Sequence, residues 1–328
     1  MFSVSLSQLT TIRWGLAEEL THLAAHGFDR LSIWRAKLSD DGTAATASML
    51  AAAGVRVSSL QWAGGFTGAD GRTFTESVDD AVEAVEAARA IGAPVLVVHS
   101  GCRGGHTRAH ARRLFLQALA TLAPLAREAG VTLALKTMRP EAGCNASFLA
   151  RPVDALAIVE EAAHPSVRLA LDLWQWADDA QFTALLPRLA SSTSIVQVAD
   201  RIGPVTADWE RLPACRGTLP LESLVTLLVE QGFGGDFEFD PVGEAVTGIG
   251  YEGVLAETRR HVDAWSERLE QRLAWRHAAA AVLQASGAVT EVGDGTVGGD
   301  FRMPWRPGQF RSAGSRRSHA SSHVVSRG

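Results

Sequence analysis

Lys136 closes the run Val131-Thr-Leu-Ala-Leu-Lys136, and the chain breaks soon after at Pro140. A long cation at the end of a buried apolar segment can stabilise an oxyanion or pair with carboxylates. If it is desolvated it can also act as a base or a Schiff-base amine. Other polar side chains sit at or near the ends of similar runs: Gln8, Trp34, Gln61, His99, Asp172, Gln197 with Asp200, and Glu238 with Asp240. His99 offers a titratable ring. Glu238 and Asp240 are two apart, so on a strand they share a face, with Asp240 nearer the end. Together these groups can move protons on a polar small molecule. Trp62, Trp174 and Trp176 lie in the adjoining loops, where aromatic faces would suit a sugar or polyol; ordinary packing is their alternative role. Arg103 and Arg139 could receive a phosphate or carboxylate. His106-Thr-Arg-Ala-His110 has the spacing of a helical zinc pair but lacks the internal Glu of that motif. Its arginine neighbours make an exposed helix start the simpler reading.

The elements that must carry these residues recur along the chain. Short apolar strands are expected over 2–7, 26–34, 54–61, 92–100, 130–136, 167–172, 194–200 and 235–240. They are too short for helices and rich in Val, Leu, Ile and Phe, as buried parallel strands should be. Helical patterns are expected over 14–26, 77–91, 112–129, 152–163, 179–189 and 221–231, many of them stopped by Gly or Pro. Eight strands alternating with helices predict an α/β fold, a (β/α)8 TIM barrel whose strand ends form the active face. A doubly wound open sheet is the structural rival, but Gln8-Leu-Thr-Thr-Ile-Arg13 is not the Gly-rich first turn it would want. A charged helix over 254–284 would clasp the barrel. The domain expected is 1–285, barrel plus C-terminal helix. Residues 286–328, rich in Gly, Ser and Arg, are expected to be a disordered tail.

The chain has 328 residues, 46% of them hydrophobic and 20% charged, and a formal net charge of −5. That balance argues against a general nucleic-acid binder, which needs a basic face. The cysteines Cys102, Cys144 and Cys215 are far apart and odd in number, so neither a disulfide framework nor a cysteine zinc site is expected. The N-terminus lacks the pattern of a signal peptide, and no run is long enough for a membrane span. A cytoplasmic protein is expected. Its expected partner is a small polar substrate, with no nucleic acid, no membrane and a homodimer left open.

Four stretches carry a family resemblance: Ser58-Ser-Leu-Gln-Trp-Ala-Gly-Gly-Phe-Thr-Gly68, Val97-Val-His-Ser-Gly-Cys-Arg-Gly-Gly-His106, Leu169-Ala-Leu-Asp-Leu-Trp-Gln175 and Arg216-Gly-Thr-Leu-Pro-Leu221. Over roughly residues 1–265 the chain resembles the xylose-isomerase-like barrel superfamily, the sugar phosphate isomerase/epimerase group. That group includes tagatose epimerases, hydroxypyruvate isomerase, inosose dehydratase, dehydroshikimate dehydratase and endonuclease IV. The resemblance implies a divalent metal (Mn, Mg, Zn or Co) held by a Glu, an Asp, a His and a Glu on strands five to eight. It places those ligands at Lys136, Asp172, Gln197, and Glu238 or Asp240. It also places a substrate-contacting His at Gln175, and a mouth-closing loop at Arg216 and Gly217. Two of the four expected ligands have therefore changed type, and a protonated lysine cannot bind a metal.

Three readings of Lys136 stay open at this point. Its ammonium replaces the metal as a fixed charge, it forms a Schiff base as in a lyase or aldolase, or the site is a silent small-molecule binder. A weakly held metal on Asp172, Gln197, Glu238 and Asp240 is a fourth. The expectation carried forward is an isomerase, epimerase or dehydratase of a small sugar, polyol or carbonyl compound, with no metal or a weakly held one. Lys136, Asp172, Asp240 and His99 would be catalytic. Gln61, Trp62, Arg103, His106, Arg139, Trp174, Gln175, Gln197 and Arg216 would bind substrate.

Overall fold

The computed structural model describes residues 2–142, 146–206 and 210–285, with side chains through residue 281. Eight parallel strands close in sequence order: β1 Ser3–Ser7, β2 Arg30–Trp34, β3 Arg56–Gly64, β4 Val95–His99, β5 Thr132–Lys136, β6 Val167–Asp172, β7 Thr193–Val198 and β8 Asp236–Phe239. β8 returns to β1 with Ser3 opposite Asp236, so no edge is left and the open-sheet alternative is excluded. The compact unit spans Met1–His277; of a second, Ala278–Gly328, the described part is the end of a helix. The tail expected over 286–328 lies outside the described residues.

Strand alternation decides what faces inward. Val95, Val97, Ala134, Ala170 and Ile195 form their own small cluster inside the barrel. The intervening Leu96, Val98, Leu133, Leu135, Leu169, Leu171, Val196, Phe237 and Phe239 belong to the large cluster shared with the helices. Two residues beyond an inward position is inward again, so His99, Lys136, Asp172 and Gln197 stand above Val97, Ala134, Ala170 and Ile195. The register sets His99 beside Lys136, Asp172 beside Gln197, and Gln197 beside Glu238.

The helices begin and stop where local chemistry dictates. Phe74–Ala90 starts at a capping box between Thr73 and Glu76. Arg108–Ala129 is capped by Thr107 and stops at Gly130, whose φ of 71° is left-handed. Both start earlier than apolar periodicity suggests, because caps set their starts. Thr43–Ala53, absent from the periodic pattern, is also a helix. Its alanines and threonines present small residues all round, so only Thr46 and Leu50 are buried and no stripe shows. The helix Tyr251–Ala285 buries Val254, Leu255, Val262, Trp265 and Leu269. Arg268 and Arg272 tie it to Glu222 and Glu230 on the helix Leu221–Glu230. Among the described residues no helix is long and apolar enough to cross a membrane.

Candidate active site

A buried chain of charges crosses the end of the barrel. Lys136 Nζ lies 3.0 Å from Asp172 Oδ2 and donates to Gln197 Oε1. The Gln197 amide then donates from Nε2 to Glu238 Oε1 at 2.9 Å. Glu238 also accepts from Gln61 Nε2 at 2.7 Å and Ser59 Oγ at 2.8 Å. These partners fix the orientation of the Gln197 amide, since its nitrogen would repel the lysine.

Arg211, in the connection between β7 and β8, was not among the expected site residues. Its Nη2 donates to Asp172 Oδ1 at 3.0 Å and to Asp240 Oδ1 at 2.7 Å, while Nη1 reaches Asp172 Oδ2 at 3.2 Å. Two short antiparallel bridges place it. Asp200 and Leu212 exchange backbone bonds at 2.8 Å, and Arg211 and Val242 exchange theirs at 2.9 Å. The guanidinium also lies over Trp174, 5.0 Å from the ring centroid.

The fields follow from this geometry. Burial opposes the ionisation of Asp172, but Arg211 and Lys136 outweigh it and hold its carboxyl well below the usual range. Among the described residues Asp240 has Arg211 as its hydrogen-bonded cationic partner, with the Lys136 charge acting from farther off. Burial, with Asp172 adding repulsion, pushes it up to about 7. Burial and then the Lys136 charge push His99 down to about 3, so its ring is neutral at physiological pH. Among the described residues His99 Nδ1 is buried without a hydrogen-bond partner. Two carboxyls joined by one arginine are thus driven apart, one a fixed charge and one able to exchange a proton near neutrality.

The cavity above this network is about 250 Å³. Lys136, Gln197, Arg211, Asp240, His99 and Gln61 supply its polar side, and Leu9, Trp62, Met138, Ala146 and Val242 its apolar walls. Gln61 and Trp62 are consecutive, yet both line it. The β3–β4 register slips between Gln61 and Ala63, which breaks the alternation.

Several expected substrate contacts lie elsewhere. Gln175 is fully buried, donating to Asp172 Oδ2 at 3.1 Å and accepting from the Arg139 amide at 2.7 Å, so it orients the acid. Trp174 is buried and donates to Glu210 O at 3.0 Å. Arg139 stacks on Trp176 and pairs with Asp178. Arg103 is bonded to His106 O, and His106 Nε2 to Thr67 O at 2.9 Å. Arg216 is spent on Glu257 at the surface. Each has a protein partner that turns it from the cavity. Gln8 bonds the Trp34 amide and Glu19, and Asp200 the amides of Arg201 and Leu219; both hold loops.

The donor set can be tested against a divalent metal. Both Asp172 oxygens face Arg211, and one also faces Lys136. The Gln197 oxygen faces Lys136, Asp240 Oδ1 faces Arg211, and Glu238 is bonded through both oxygens. Among the described residues no group of three or more His, Cys, Asp or Glu could hold a metal ion. Two fixed cations among those oxygens repel a third. These residues do not fit the metal that the resemblance implies.

The model of the xylose isomerase-like TIM barrel family matches residues 20–277, and the chain belongs to that family. Among solved structures it is similar to protein SMc04130 from Sinorhizobium meliloti 1021, at 23% identity and TM-score 0.70, over 79% of this chain and 96% of that one. It is similar to the IOLI protein with a bound zinc atom, at 18% identity and TM-score 0.71, over 81% and 99%. It is also similar to an L-ribulose 3-epimerase, at 16% identity and TM-score 0.69, over 84% and 98%. These likenesses concern the fold. No curated protein matches the sequence.

Proposed function

We propose that the chain is a proton-transfer enzyme, an isomerase, epimerase or dehydratase of a small sugar, polyol or carbonyl compound, in which Lys136 and Arg211 supply the positive charge. The observation that carries this reading is the Lys136–Asp172–Arg211–Asp240 network at the floor of a small cavity. The family makes an enzyme of this kind a natural candidate, and a structural neighbour is an epimerase.

In this reading a substrate oxygen rests against Lys136 Nζ. The carbon beside it faces Asp240, which takes the proton in its ionised form. The developing enediolate oxygen is stabilised by Lys136, with Arg211 behind it. Asp172 holds both cations in place and exchanges no proton. Neutral His99, which lines the cavity beside Lys136, accepts from or donates to a substrate hydroxyl. Return of the proton from Asp240 to the neighbouring carbon, with the proton of the adjoining hydroxyl passing to the enediolate oxygen, gives the isomer. Protonation of the opposite face by solvent, with Asp240 releasing its proton to solvent, gives the epimer. Expulsion of a β-hydroxyl, which takes the proton from Asp240 and leaves as water, gives the dehydrated product.

A Schiff base needs a free amine at Lys136, whereas Nζ is engaged by Asp172 and Gln197. Incubation of candidate sugars and keto-acids in D₂O tests the proposal. Deuterium should enter at the carbon next to the carbonyl, and Lys136→Ala should abolish it. Undiminished exchange in Lys136→Ala would refute the role of the lysine. Covalent trapping at Lys136 by borohydride would favour the Schiff-base reading, and binding without exchange the silent binder.

A further inference from the structure

We propose that a second cavity, across Trp62 from the first, is a subsite for the distal ring of an uncharged two-ring sugar or glycoside. This rests on the reading of the inner cavity as a site for a sugar or polyol, and extends it to the size of the substrate.

The second cavity is about 430 Å³, larger than the 250 Å³ space beside Lys136. Trp62, His99 and Ala146 line both. Trp62 is 43% exposed, and its ring stands edge-to-face to His99 at 5.7 Å. An indole with so much free surface at the junction of two cavities is a platform for the apolar face of a sugar ring. The His99 ring stands at the same junction, so a ligand spanning the two spaces would pass over it.

The outer wall is built of fixed charges that cancel. Arg72 donates to Asp70 Oδ2 at 2.8 and 3.0 Å, to Asp80 Oδ2 at 3.0 Å and to Gly64 O at 2.7 Å. Arg35 donates to Asp80 Oδ2 at 3.0 Å and to Asp80 O at 3.1 Å. Gly65 permits this arrangement because it lacks a side chain. A Cβ on Gly65 would lie 2.4 Å from Asp70 Oδ2 and 2.5 Å from Arg72 Nη2. Two arginines committed to two aspartates leave no uncompensated cation for a phosphate. They offer held donors and acceptors side by side, which is what hydroxyl groups need.

The test is calorimetric titration of the full chain with matched pairs: glucose against cellobiose and maltose, galactose against lactose, xylose against xylobiose, and glucose against glucose 6-phosphate. At least one two-ring sugar should bind ten-fold or more tightly than its single-ring partner. Ala69→Trp fills the outer cavity from an exposed loop position, and should erase that gain while leaving single-ring affinity within two-fold. Arg72→Gln should lower two-ring affinity at least five-fold, and serves if the tryptophan variant does not fold. Equal binding within every pair, or equal loss of both members in Ala69→Trp, would overturn the subsite and leave the inner site standing. A gain for glucose 6-phosphate that Arg72→Gln removes would assign the cavity to anions and also overturn it. Absence of binding by every compound would overturn the sugar reading of the inner site and this inference with it.

Discussion

Arg211 reaches Asp172 and Asp240 with one guanidinium, its Nη2 lying 3.0 Å from the first and 2.7 Å from the second. Lys136 reaches Asp172 alone of the two, at 3.0 Å. The arginine therefore joins the two acids of the buried network, and the lysine pairs with one of them.

The two cations should differ in what they contribute to stability. Arg211→Met leaves two buried carboxyls short of a partner and should cost about 3–5 kcal/mol, the range for breaking a buried pair. Lys136→Met leaves Asp172 still gripped by Arg211 and Gln175, and should cost less, about 1–3 kcal/mol. Urea unfolding of both variants measures the order. A larger loss in Lys136→Met would refute this division of roles.

Two buried groups should pull the stability of the wild type in opposite directions as pH changes. Asp240 is raised from 3.8 to about 7, so its contribution is full below 3.8 and is lost as pH rises through 7. His99 is lowered from 6.5 to about 3, so its contribution is full above 6.5 and is lost as pH falls through 3. Between pH 4 and 6.5 the two slopes oppose, each at most about 1.4 kcal/mol per pH unit. Asp240→Asn should unmask stability that rises with pH in that window, and His99→Gln stability that falls. Denaturation midpoints at half-unit steps decide it; unchanged slopes in either variant would contradict the assignment.

Turnover on a found substrate should rise with pH through about 7, as Asp240 loses its proton and becomes the base. Asp240→Asn should lower kcat by about 10²–10⁴-fold. No limb from a histidine should appear between pH 5 and 9. A rising limb that survives Asp240→Asn would place the base elsewhere.

Gly64 keeps β3 against β4 at the mouth. A Cβ there would lie 2.2 Å from His99 O, on a backbone whose φ is 154°. Gly64→Ala should destabilise by about 1–3 kcal/mol through overpacking. It should also shift the His99 ring resonances in a nitrogen–proton NMR spectrum. Silence in both measurements would show that the strands have room to spare.

The barrel was legible because its strands are short apolar runs ended by a polar residue, and that residue marks the mouth. Lys136 could be placed at the cavity from the run preceding it, Gln197 and Asp240 likewise, and Asp172 and Glu238 in the network beneath. Arg211 could not. It lies in a connection with no periodicity, and it reaches the site because Asp200 pairs with Leu212 and Arg211 with Val242, contacts distant in sequence. Trp174, Gln175 and Arg139 looked like substrate contacts because they follow a strand end. Which way a loop side chain turns depends on its partners, and theirs lie in the protein. The helix Thr43–Ala53 was silent because alanine forms helices without leaving an apolar stripe.

In the proposed mechanism Lys136 and Arg211 take the place of a divalent metal. Elemental analysis of the full chain as purified, followed by calorimetric titration with Mn²⁺, Mg²⁺, Zn²⁺ and Co²⁺, measures this without knowledge of the substrate. No stoichiometric metal and no tight binding isotherm are expected. One tightly held metal ion per chain, lost on replacement of Asp172 or Asp240 by alanine, would contradict that mechanism.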